Sequence, residues 1–286
     1  MADHLEQQIE SLRIFPNLDV RLLRGSFVDG IERLKTEIPG PFSGAQPLFV
    51  FIDPFGAKGV PFSIVRDILG SPHSEVLVNL DADAIVRILE AGAAASHDRS
   101  LTEIFGDDSW RGSLSGLVSF RDQVLAVVEL YKTHLLAVPG VRYVYSFEML
   151  TAKKQVGKVG YFLVFASQHR LGLVKMKEAM RTVDQQGSYQ FSNALVGQLA
   201  MFRYDRPENH SPLLYRKFVG RGQVSYSEID DFALLESPFT NPKAMLSSLE
   251  ARGKLNVISA NPKRRRGTFK DGTILAIEFL EGETDG

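Results

Sequence analysis

LFVFIDPFGAKG, residues 48–59, holds the key to how this chain folds. Leu48 to Ile52 form an unbroken apolar run that stops at an acid, a proline, an aromatic and a glycine. Such a run is what a strand buried on both faces of a parallel sheet requires, because helices cover that sheet above and below. Two readings of Asp53-Pro54-Phe55-Gly56 stand open. Pro and Gly end strands in ordinary turns. The carboxyl end of a strand is also where open α/β sheets hold their ligands.

The flanking sequence alternates strand and helix. MADHLEQQIESL leads into a helix over 4–14. LDVRLLRGSF (18–27) alternates and ends at Gly25-Ser26, which predicts a strand and a turn. FVDGIERLKTEI (27–38) carries Val28, Ile31, Leu34 and Ile38 at helical spacing. PFSIVRDIL (61–69) reads as a helix with Pro61 near its first turn, SEVLVNL (74–80) as a second buried strand and ADAIVRIL (82–89) as a helix. The rhythm predicts a doubly wound α/β sheet. Residues 91–120, with the single tryptophan Trp110, interrupt it as an inserted segment. A helix over 121–138 follows. VRYVYSFEML (141–150) and GYFLVFAS (160–167) predict two strands joined by a Lys-rich hairpin, and 169–184 a helix.

From residue 191 to 222 the apolar periodicity fades, and RPENHSP reads as a linker. This divides the chain into an α/β domain over 1–190, a connecting segment over 191–222 and a compact unit over 223–286. In that last unit VSYSEIDDFALLES opens with a Ser-x-x-Glu-like helix start. TNPKAMLSSLEARGKL is a second helix with Thr240 or Asn241 as N-cap, Pro242 at its first position and Gly253 as its stop. LNVIS, NPKRRRGTFKDG and TILAIEFL then form a hairpin with a basic tip. Helix, helix and basic hairpin predict a winged helix-turn-helix.

The composition excludes several classes of function. The chain has 286 residues, no cysteine and a net charge of −1. Disulfides, thiolate zinc sites and a cysteine nucleophile are excluded. The six histidines form no HxxxH or HExxH pair, so no metal site is expected. No apolar run approaches the ~18 residues of a membrane helix. The polar N-terminus is not a secretory signal, which points to the cytoplasm. Any attraction to nucleic acid must come from a local cluster of charge.

DPFGAKGVPFSIVRDIL, IFGDDSW, YFLVFASQHRLGLVKMKEAM and the final winged helix, in that order, resemble the three-Cys-motif partner proteins, over nearly the whole chain. The resemblance implies a Rossmann-like, class I methyltransferase sheet with a C-terminal winged helix. It implies S-adenosylmethionine as cofactor and a partner protein that carries the three cysteines. Asp53-Pro54 matches the start of the Asp-Pro-Pro-Tyr loop of amino-group methyltransferases, where the carboxylate and a neighbouring carbonyl align the acceptor amine on the sulfonium methyl, catalysis chiefly by positioning. Asp53, Pro54 and Phe55 are therefore the candidate catalytic residues. Phe55 stands where the second proline would be and is the one aromatic available to stack on a base, since Gly56 replaces the usual aromatic. The Gly-rich cofactor turn after a first strand and the ribose-binding acid after a second are not visible before LDVRLLRGSF. Gly25, Ser26, Phe27 and Asp53 remain as candidate cofactor contacts, and weak or no S-adenosylmethionine binding is expected. A catalytically degenerate module that docks DNA or a protein partner is the alternative.

Other features carry a bland and a sharp reading together. Lys58 is a phosphate contact or a solvated loop lysine. Asp107, Asp108 and Trp110 form a substrate lid, or the tryptophan pins the insertion to the body. His169 caps a helix or acts as an acid or base. Lys153, Lys154 and Lys158 fit a soluble strand tip. The cluster Lys263, Arg264, Arg265, Arg266 and Lys270 is different: four consecutive cations repel one another and suit a nucleic-acid backbone. Tyr215, Arg216, Lys217 and Arg221 extend that patch. The tip is expected to be exposed and to contribute little to packing.

Overall fold

The computed structural model describes residues 5, 7–9, 20–54, 60–91, 95–150, 159–183, 190–192 and 206–281. Five strands make one mixed sheet in the order β1 (Leu48–Ile52), β2 (Ser74–Leu80), β4 (Val159–Ser167), β3 (Tyr143–Leu150) and β5 (Gln190–Ser192). β1 runs parallel to β2, and β3 parallel to β5. β4 lies between β2 and β3, antiparallel to both. The carboxyl ends of β1, β2 and β3 therefore lie along one side of the sheet.

Helices follow where the sequence supplies caps and an apolar face. α1 (Phe27–Glu37), α2 (Pro39–Phe42), α3 (Phe62–Gly70), α4 (Ala82–Glu90), α5 (Ala95–Phe105), α6 (Phe120–Leu136) and α7 (Arg170–Val183) belong to the same unit as this sheet. Ser26 caps α1 by accepting from Asp29 N, Asp81 caps α4 through Ala84 N and Ser119 caps α6 through Asp122 N. Val65, Ile68, Ile85, Val86, Val124 and Val128 of α3, α4 and α6 meet Val50, Ile52, Val76, Val78 and Val164 in the main core. α7 puts Leu173 against Leu77, Phe147 and Phe165 in a second cluster. It approaches closely at Gly172, where a Cβ would stand 1.8 Å from Glu75 Oε1 and 2.5 Å from Ser167 Oγ.

A second unit contains α8 (Ser211–Phe218), β6 (Gln223–Val224), α9 (Tyr226–Glu236), α10 (Lys243–Ala251), β7 (Leu255–Ser259) and β8 (Ile274–Phe279), with strand order β6-β8-β7, all antiparallel. Leu214 and Phe218 of α8 join Ile229, Met245, Leu249 and Ile277 in its core. The unit thus begins before residue 223: the stretch read as linker holds a 3₁₀ turn, Pro207–His210, and α8. Ser225 caps α9 as its sequence implies, accepting from Glu228 N. α10 starts at Lys243 behind Pro242, while Asn241 Oδ1 accepts from Lys243 N in the preceding turn.

The unit docks on α7. Arg170 pairs with Asp230 and lies 3.4 Å from Asp231. Lys177 is fully buried between the two bodies. Its Nζ donates to the carbonyls of Leu234 and, at 2.6 Å, of Ser237, and it stands 3.7 Å from the centre of the Tyr145 ring. The Lys177 amino group thus meets the carbonyl end of α9. Burial pushes its pKa down to about 6, with Glu236 pulling the other way.

Two expectations need correction. Residues 20–26 carry no strand, so Gly25 and Ser26 do not follow one. Among the described residues β1 pairs only with β2, which makes it an edge strand. It is not buried on both faces: Phe49 and Phe51 are 52% and 49% exposed. Among the described residues no helix is long and apolar enough to cross a membrane.

Candidate functional site

Asp53 directly follows β1, at the carboxyl side of the sheet, and is exposed. Its Oδ1 accepts from Asn79 Nδ2 at 2.6 Å. Parallel pairing of Ile52 with Val78 brings the two side chains together across neighbouring strands. Asn79 Oδ1 is buried and has no hydrogen-bond partner among the described residues. Pro54 is half-buried beside Asp53, while Phe55, Gly56 and Lys58 lie outside the described residues. Asp53 lines neither of the two cavities considered below.

Gly25, Ser26 and Phe27 are committed to starting α1. The Ser26 hydroxyl donates to Asp29 Oδ2 at 2.6 Å and accepts from Asp29 N at 3.1 Å. Phe27 packs on the main core. Among the described residues no hydrogen bond joins the three to Asp53.

Trp110 pins the insertion. It is 3% exposed and donates from Nε1 to Thr102 Oγ1 at 3.1 Å, while Thr102 Oγ1 donates to Asp108 Oδ1 at 2.6 Å. His169 precedes α7 at the other end of the sheet from Asp53, since Ser167 pairs with Glu75 near the start of β2. Its ring stacks on His73, with Nε2 3.3 Å from His73 Nδ1. Lys153, Lys154 and Lys158 lie outside the described residues. Among the described residues no group of three or more His, Cys, Asp or Glu is placed to hold a metal ion.

The basic hairpin tip divides into two sets of cations. Arg264 does not point outward. It forks onto Glu250 of α10 with two bonds of 2.8 Å, donates to Thr268 O at 2.9 Å and lies 4.9 Å from the centre of the Phe269 ring. The Arg264 and Glu250 side chains are only 13% and 10% exposed. Arg266 donates to the Glu250 carbonyl, and Gly267 N donates to Glu250 Oε2 at 2.6 Å. The expectation of an unpacked tip is thus corrected, because a buried glutamate on α10 needs these donors. Burial raises the Glu250 pKa, but Arg264, the Gly267 N–H and Arg266 outweigh it and hold the carboxyl below its ordinary range. Lys263, Arg265 and Lys270 remain exposed, and among the described residues no ion pair engages their side chains.

The extension of the patch also divides. Arg221 lies 3.2 Å from Glu228, Tyr215 OH donates to Leu280 O at 2.8 Å, and Lys217 sits over the Phe232 ring. Arg216 is exposed. Glu250, Asn79 and Lys177 were missed as organising residues. Each is a polar residue inside an apolar pattern, and that interruption was the available signal.

No family model, curated protein or solved structure matches the chain.

Proposed function

We propose that the C-terminal unit is a winged helix that holds nucleic acid through its hairpin, on a methyltransferase-like body. The observation that carries this reading is the division of the tip cations. Arg264 and Arg266 fasten the wing to α10, and this leaves Lys263, Arg265 and Lys270 fixed on an exposed turn. Helix, short strand, helix, helix and hairpin follow one another in winged-helix order. Side chains of this kind bind phosphates by releasing counterions, independently of base sequence. The near-neutral chain thus confines its attraction to one surface.

A second reading rests on the Asp53–Asn79 pair. β4 inserted antiparallel between β2 and β3 agrees with the hairpin in which methyltransferase sheets end. In that setting Asp53 aligns an amino acceptor and S-adenosylmethionine supplies the methyl group. The exposed Asp53 carboxylate, held by Asn79 Nδ2, is the acceptor that supports an amine at this place. Among the described residues Asp53 follows a strand with a single partner and lies outside both cavities, which weighs against this second reading and favours the binding function. A three-cysteine-motif partner protein and a cytoplasmic location belong to the same proposal.

Fluorescence anisotropy with labelled duplex DNA and duplex RNA tests the first reading. Lys263→Ala/Arg265→Ala/Lys270→Ala should weaken binding to every duplex alike while the thermal transition stays in place. Unchanged binding would move the basic tip to a protein-docking role.

A further inference from the structure

A cavity of about 210 Å³ opens between α3, the end of α5 and α6, in a part of the chain that the proposed nucleic-acid reading does not use. It has room for several waters. Phe62 and Phe105 lie beneath it, buried against Tyr131 and His134. Gly106 shapes the rim. Its φ of +85° favours glycine, and a Cβ there would stand 3.0 Å from Phe62 Cδ1. The chain therefore turns tightly against Phe62 and brings Asp107 to the opening.

The polar groups limit the chemistry. Ser109 Oγ is 2.9 Å from His134 Nε2, and Asp107 Oδ1 is 3.7 Å from the same nitrogen. A nucleophile–histidine–acid relay needs the acid on the opposite ring nitrogen, so this group is not one. Asp107 Oδ1 also accepts from Ser109 N at 2.9 Å. Its carboxyl is held below the ordinary range by the Ser109 hydroxyl and N–H, against a small opposing effect of burial. Its side chain is 56% exposed, so a ligand reaches it.

Arg66 lines the same cavity and the adjoining depression of about 680 Å³, which also shares Ser63. It is exposed, and among the described residues no carboxylate lies within ion-pair distance of it, Asp107 included. The cavity thus presents an exposed cation, Arg66, and an anion held by Ser109, Asp107, which lie beyond ion-pair distance of each other. A simple anion would be repelled by Asp107 and a simple cation by Arg66. A neutral apolar molecule would leave both charges partly desolvated without a partner.

We propose that this cavity binds the zwitterionic head of a free α-amino acid, its carboxylate on Arg66 and its ammonium on Asp107. Arg suits the carboxylate because its planar fork matches two oxygens at once.

The test is isothermal titration of the full chain with L-leucine, L-methionine and L-phenylalanine, with N-acetyl-leucine, leucinamide and inorganic phosphate as controls. At least one amino acid should saturate the protein, with a Kd on the order of 1 mM or tighter. Each charge-assisted contact contributes enough that Arg66→Gln and Asp107→Asn should each weaken binding about tenfold or more. N-acetyl-leucine and leucinamide, which lack the ammonium and the carboxylate in turn, should bind as weakly. Both substitutions are at exposed side chains, and unchanged circular dichroism and melting temperature would confirm an intact fold. The proposal is overturned if no amino acid saturates, if either control analogue binds as tightly as leucine, if phosphate binds in its place, or if both variants keep parental affinity.

Discussion

Arg264→Ala removes both guanidinium bonds to Glu250 and leaves a carboxylate that is only 10% exposed with the Gly267 N–H as its nearest remaining donor. Breaking a buried ion pair from one side costs about 3–5 kcal/mol. Here both partners keep some contact with solvent and Gly267 still donates, so a loss of about 2–3 kcal/mol is expected. For a domain of 60–100 residues each kcal/mol shifts the melting temperature by roughly 4–8 °C, so the C-terminal transition should fall by about 10–20 °C. Thermal unfolding followed by circular dichroism reads this directly, with Arg265→Ala as the exposed control expected to change stability by less than ~0.5 kcal/mol. The pH dependence has a definite sign. The folded Glu250 carboxyl titrates below its ordinary 4.5, so its stabilising contribution is complete above about 4.5 and is lost as the pH falls through the lower folded value. The gap between parent and Arg264→Ala should therefore narrow in acid. Equal melting temperatures for Arg264→Ala and Arg265→Ala would refute the division of the tip into structural and exposed cations.

Lys177 gives a slope of the same sign in a higher pH window. The unfolded lysine holds its proton up to about 10.5 and the folded one only to about 6, so the unfolded state binds more protons between those values and stability should rise with pH across them. At up to ~1.4 kcal/mol per pH unit, urea unfolding of the parent measured against Lys177→Met should reveal this difference, and parallel pH profiles would contradict it. Gly172→Ala gains about 1 kcal/mol of helix propensity but drives Glu75 away from Ser167. Overpacking costs about 1–3 kcal/mol, so a small net destabilisation is expected in thermal unfolding, and a stabilised variant would show that α7 can move off the sheet. Asn79→Ala should leave the duplex affinity of the wing unchanged in anisotropy measurements, because Asn79 serves the strand-end pair alone; a loss of affinity would tie the two regions together.

The strand–helix rhythm of the body was legible because continuous apolar runs such as Leu48–Ile52 and capped amphipathic helices leave strong local patterns. Strand pairing leaves a weaker trace. Nothing local in LFVFI distinguishes a central strand from an edge strand, and the exposure of Phe49 and Phe51 became visible only with the sheet order. LDVRLLRGSF shows the limit of alternation as a signal, since its described part, residues 20–26, leads into the cap of α1 without pairing. α8 was hidden because its apolar positions, Leu214 and Phe218, are few and follow a proline-rich stretch. At the wing the charge cluster was plain, but which cation turns inward depends on Glu250, fourteen residues away from Arg264. Sequence spacing alone does not carry that contact.

The central claim is that three outward cations of the wing meet a phosphate backbone. The logarithm of the duplex binding constant should fall linearly with the logarithm of salt concentration, with a slope of about −0.9 for each phosphate neutralised. Lys263→Ala/Arg265→Ala/Lys270→Ala should make that slope shallower by about two to three while circular dichroism stays unchanged. A parent slope near zero, or an identical slope in the triple variant, would contradict the account.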